Sequence, residues 1–151
     1  MPHTNTNTLQ LLEEEDSKSK ILHAISLTIG HAGASAAPLA CSLIAAFPQI
    51  WEVTSSAPTT QPKCLMLVTS LINCAREGVA PHVPALCSAV AAMVNIRDPA
   101  SMNTREYALD AWLAVVRNVS TYTEELHKLF EHILPLLHED HCESFKVTCD
   151  G

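Results

Sequence analysis

Residues Asn103–His138 read NTREYALDAWLAVVRNVSTYTEELHKLFEHILPLLH, two amphipathic helices joined by a short polar turn. The first places Leu109, Trp112, Leu113 and Val116 on one side. The second places Leu126, Leu129, Phe130, Ile133 and Leu137 together, at the three- and four-residue steps of an α-helix. Asn103 lies three residues before Glu106, and Thr121 three before Glu124, so each pair offers a capping box that takes up orphan backbone N–H groups. The reading is an αα-hairpin with an apolar inner face. A hairpin of this size cannot cover that face alone, so it requires neighbours.

The neighbours lie upstream. Sliding the hairpin back by 43 residues lands on Cys64–Val94, and by another 43 on Ile21–Trp51. In that register Ile21, Cys64 and Tyr107 coincide, as do Ile25, Val68 and Ala111, then Ile29, Ile72 and Val115. In the second helices Leu43, Leu86 and Leu129 coincide, followed by Phe47, Val90 and Ile133, then Ile50, Met93 and Leu136. Pro38 and Pro81 also match, near the start of the second helix. Helix pairs recurring every ~40–47 residues are the signature of HEAT-type repeats. The expected fold is therefore all-α, a HEAT-type α-solenoid of about three antiparallel helix pairs with partial helices at both ends. An ordinary irregular helical domain is the plainer alternative.

Taken in order, residues 1–8 read as a disordered polar tail and 9–151 as one HEAT-repeat segment, with pairs at about 17–53, 61–95 and 103–138. Leu9, Leu11 and Leu12 look like the end of a preceding helix, and Ser17 caps the first full helix, Lys18–Gly30. The acidic run Glu13–Asp16 between them is read as a solvated loop rather than a binding patch. Pro48 and Pro135 should bend the second helices of their pairs. Cys64–Val68 is apolar at every position, as suits a helix covered on more than one side. His141–Cys149 resembles the opening of a further helix. The expectation is a piece of a longer array, whose uncovered end faces promote self-association.

The chain holds 151 residues, of which 48% are hydrophobic but only 5% aromatic, so the apolar bulk is Ala, Leu, Val and Ile that suits close helix packing. A net charge of −7 argues against nucleic acid and for basic protein partners. The N-terminus lacks a charged-then-apolar secretory pattern. No apolar run reaches the ~18 residues a bilayer span requires, so no membrane insertion is expected.

Six cysteines and eight histidines raise a metal or thiol reading. No Cys-x-x-Cys pair occurs, and Cys41, Cys64, Cys74 and Cys87 fall in expected helices as small apolar residues. His138, His141, Cys142 and Cys149 form the one cluster worth naming, and its spacing departs from zinc-finger patterns. No Gly-rich phosphate loop, HExxH or GxSxG occurs. The reading is no enzyme, no cofactor and no metal.

Several segments then carry a family resemblance: LLEEED, KILHAISLTIGHAG, PLACSLIAAFPQIWE, CLMLVTSLINCAREGVAPHVPALCSAV and EYALDAWLAVVRNVSTYTEELHKLFEHILPLL. In this order they resemble later HEAT repeats of the importin-β (karyopherin) superfamily, in its importin-eleven branch, over nearly all of Leu9–Val147. The resemblance implies a nuclear transport receptor working between cytoplasm and nucleus. Its concave face would grip protein cargo, such as charged ubiquitin-conjugating enzymes, or the Ran GTPase. Grooves between outer helices would take Phe-Gly repeats of nucleoporins. With second helices facing inward, Glu124, Glu125, Lys128 and Glu131 become candidate partner contacts; plain solvated charges are the alternative. A HEAT scaffold or regulatory subunit unrelated to transport would share the architecture.

Overall fold

In a computed structural model, residues 4–54, 57–94 and 102–135 are described, with side chains from Glu13 onward and, after the second gap, from Asn103. Among these residues every regular element is helical and no strand occurs. Helix α1 spans Thr4–Ala32, α2 Ala37–Ala45, α3 Phe47–Thr54, α4 Gln61–Ala75, α5 Val83–Val94 and α6 Met102–Asn118. A seventh helix, α7, occupies 124–135. Short 3-10 turns, Gly33–Ala36 and Arg76–His82, link α1 to α2 and α4 to α5.

The turns follow from local chemistry. α1 stops where Gly33 takes φ +55°, which costs a glycine little. Forty-three residues on, Arg76 adopts φ 50° at the end of α4 and carries a Cβ into that region, a strain of roughly 1–3 kcal/mol. Proline at the first turns of α2 and α4 is pre-set for a helix start. As expected, Pro48 accompanies a break: α2 ends at Ala45, and α3 resumes at Phe47 after a turn at Ala46.

Three boundaries differ from the sequence reading. α1 is one helix from Thr4, so the backbone of 4–8 is helical and Ser17 lies mid-helix rather than capping a start. The acidic run explains the continuity, because Glu14 pairs with Lys18 at 3.5 Å and Asp16 with Lys20 at 2.7 Å, one turn apart. Asn103 lies inside α6, which begins at Met102. α7 is capped by Thr123, not Thr121: the Leu126 N–H donates to Thr123 Oγ1 at 3.4 Å. The Ser120 N–H is held by Glu77 Oε1 at 3.0 Å, and Val119 is buried, so the loop stays extended past Thr121. The expected helix at His141–Cys149 lies outside the described residues.

Polar links fix the packing. The Thr59 hydroxyl donates to Glu15 (3.2 Å), Ser26 and Ser70 hydroxyls meet at 2.9 Å, and the Cys74 thiol donates to the Gly33 carbonyl (2.9 Å). α1 therefore runs parallel to α4. Asn118 Nδ2 donates to Asn73 Oδ1 at 2.9 Å, and with the Glu77–Ser120 bond this sets α6 parallel to α4 on its other side. The segment α2–α3 returns antiparallel to α4, with Cys41 beside Gly78 at one end and the Thr60 hydroxyl donating to the Thr54 carbonyl at the other. α7 lies antiparallel to α6, since Trp112 stacks on Phe130 and Val116 lies near Leu126.

The core sits around α4 and α5. Cys64, Leu65, Leu67, Val68, Leu71, Ile72, Val83, Leu86 and Val90 are all buried. On α6 the buried set is Thr104, Ala108, Ala111, Ala114 and Val115. This corrects the expected inner face: Leu113 and Val116 are 38% and 47% exposed, and Phe130 on α7 is 43% exposed. Alanines on this side let α6 approach α4 closely.

Another correction concerns hydropathy. The stretches Glu13–Ala45 and Gln61–Val94 are long and apolar enough to cross a membrane by length and composition alone. Each is broken by one of the 3-10 turns, and a core helix of a folded domain passes the same test.

Candidate partner-binding surface

α7 carries all four sequence-read contact residues, and all four are exposed. Glu125 and Lys128 face α5, where with Pro84, Cys87, Leu129 and His132 they line a cleft of about 220 Å³. Glu124 pairs with Lys128 at 2.8 Å, and Glu131 lies 3.4 Å from His127 Nε2. The hydrogen bond and charge of Lys128 hold the Glu124 carboxyl below its ordinary range, and the reciprocal contact raises Lys128. Exposed pairs of this kind contribute little to stability and are screened by salt. They leave α7 with a mixed but net acidic outer side.

Within the cleft, burial first and the Glu125 charge second push the Cys87 thiol up to about 11. It stays protonated at neutral pH, which makes it a poor nucleophile and metal ligand. Burial likewise raises Cys64, partly offset by a hydrogen bond with Thr54. Among the described residues no group of three or more His, Cys, Asp or Glu side chains is placed to hold a metal ion. The sequence-read cluster His138, His141, Cys142 and Cys149 lies outside them.

The larger concavity was missed by sequence reasoning. Trp112, Val116 and Val119 on one side, and Tyr122, Leu126 and Phe130 on the other, wall a groove of about 430 Å³. Trp112 and Phe130 stack with centroids 6.3 Å apart, and the Tyr122 hydroxyl meets His127 Nδ1 at 2.6 Å. The Trp112 Nε1 is buried without a hydrogen-bond partner. Reading these side chains as one hairpin's inner face hid the groove. The 43-residue register contained the signal, since it aligned Ala111 and Val115, not Trp112 and Val116, with the buried positions of α4.

Both concavities are open to the surface, the larger lined mainly by apolar and aromatic side chains and the smaller also by Glu125, Lys128 and His132. No protein-family model matches the chain, and no solved structure matches it significantly. Two curated proteins do: Importin-11 of Mus musculus and Importin-11 of Homo sapiens, each 26% identical over 132 residues. The matched region is 85% of this chain but only 13% of either relative's length. The chain thus bears a distant, partial similarity to importins, which supports an importin-like relationship.

Proposed function

We propose that the chain is a protein-binding HEAT-repeat segment of an importin-like nuclear transport receptor, active in cargo recognition between cytoplasm and nucleus. The observation that carries this reading is the Importin-11 similarity across 132 residues. Further support comes from the packing: side-chain links between adjacent helices join residues 40 to 45 positions apart, matching a 43-residue repeat. In this reading α1–α3, α4–α5 and α6–α7 are three stacked pairs of an α-solenoid. Neighbouring pairs contribute stability to one another, and the stack flexes with its load.

The work done is reversible recognition. A chain of net charge −7 draws basic cargo at long range, and in this reading Glu124, Glu125, Lys128 and Glu131, all exposed on α7, are the contacts with such a partner. The Ran GTPase and nucleoporin Phe-Gly repeats are the further partners this reading assigns to the receptor as a whole. A binding titration tests it. Immobilised Phe-Gly repeat peptide and a basic ubiquitin-conjugating enzyme should each retain the chain, the latter more weakly as salt rises. Retention of neither would overturn transport and favour a HEAT scaffold of another pathway.

A further inference from the structure

The exposed large hydrophobics are segregated. Ile21, Leu27, Leu39 and Val53 lie on α1–α3, and Leu113, Val116, Tyr122, Phe130 and Leu134 on or beside α6–α7. Among the described residues, none falls in 57–94. The middle pair is sealed on both sides, and each outer pair leaves open the side it turns away from the middle.

These two open faces are not alike, and the repeat register shows how they fit. Inside the molecule Tyr107 of α6 shares the lining of one pocket with Met66, Thr69 and Ser70 of α4. One period on, those three places are Leu109, Trp112 and Leu113, and the place of Tyr107 on the first pair is Ile21. The second helices repeat the pattern. Glu125 and Leu129 of α7 face Cys87 and Ala91 of α5. One period on, the latter places are Phe130 and Leu134, and the places of Glu125 and Leu129 on α2 are Leu39 and Leu43.

We infer that the aromatic face of α6–α7 is a docking surface for a second copy of this chain, seated head to tail through the exposed Ile21 and Leu39. The occupant follows from continuity with the interface already present. What covers this face on the middle pair is the opposite face of the next pair, and among the described residues the exposed face of that kind is the one on α1–α2. This inference rests on the stacked-pair reading proposed above. Because the two faces differ, the contact is heterologous and open-ended, giving chains of copies rather than a closed dimer.

Sedimentation velocity on the intact chain tests this over a range of concentrations. The weight-average mass should climb above the 16.4 kDa of one copy as concentration rises. Ile21→Glu and Val116→Glu should each be monomeric alone, and their mixture should stop at twice the monomer mass, because one intact face of each kind remains. Leu39→Glu provides a second variant of the first face, and circular dichroism melts confirm folding. A wild-type chain that stays monomeric throughout would overturn the inference. So would association abolished by Val116→Glu but untouched by both Ile21→Glu and Leu39→Glu, which marks a like-to-like dimer. A Ser26→Cys/Ser70→Cys disulfide formed in monomeric chain reads the stacking separately, so a monomer that still crosslinks overturns only the docking.

Discussion

The middle and last helix pairs are built from similar sequence but bury it differently. In α4, Cys64, Leu65, Leu67, Val68, Leu71 and Ile72 are all at 0–2% exposure, over an arc of nearly half of the helix. In α6 only the alanine-rich side is buried, while Leu113 and Val116 face outward. The difference is one of neighbours: α4 lies between α1 and α6, whereas the far side of α6 is open among the described residues. Amphipathicity therefore describes each helix only together with the number of faces its surroundings cover. The buried Leu65, Val68, Leu71 and Ile72 of α4 keep buried counterparts in Ala108, Ala111, Ala114 and Val115, whereas the polar places Ser70 and Asn73 become the outward Leu113 and Val116.

Several measurements would break or sharpen this contrast. The largest effect should come from Leu71→Ala or Ile72→Ala, each costing about 2–5 kcal/mol through lost burial and a residual cavity. Val116→Ala on the open side should stay within about 0.5 kcal/mol. Urea unfolding that gave equal values for both sites would erase the distinction. Next comes Gly78→Ala, since a Cβ there would lie 2.7 Å from Cys41 Sγ. Overpacking should cost about 1–3 kcal/mol, and adding Cys41→Ala should recover most of it in a double-mutant cycle.

Arg76→Gly should act in the opposite direction. It gives α4 the terminator that α1 already has at Gly33, and relief of the positive φ should add about 1 kcal/mol in thermal unfolding. The smallest effect concerns Cys87. With its thiol at about 11 rather than 9.0, the thiolate fraction at pH 8 is lower by about 100-fold, and alkylation of Cys87 should slow accordingly in the folded chain relative to the urea-unfolded one. The raised value also gives a sign for stability. The unfolded chain loses this proton first, so stability should fall as pH rises through the window from 9 to 11.

Much of the fold was legible because periodicity is redundant. Ile29, Ile72 and Val115 were aligned by spacing alone, and all three are buried. The break at Pro48 was legible because proline removes a specific hydrogen bond. The start of α1 was not, because Glu13–Asp16 reads as a loop until Lys18 and Lys20 are recognised as partners one turn away. The aromatic groove was hidden for a different reason. Whether Trp112 faces a core or an opening depends on how many pairs lie beyond it, and no local pattern of residues encodes that.

Native-state amide hydrogen exchange, run at a dilution where the chain is monomeric, tests the central claim most directly. A stack of pairs sealed only at its centre should show its slowest exchange in α4 and α5, with protection falling outward through α6 to α7 and through α2 to α3. Equal protection across all helices, or slowest exchange in α7, would contradict it and indicate one closed core.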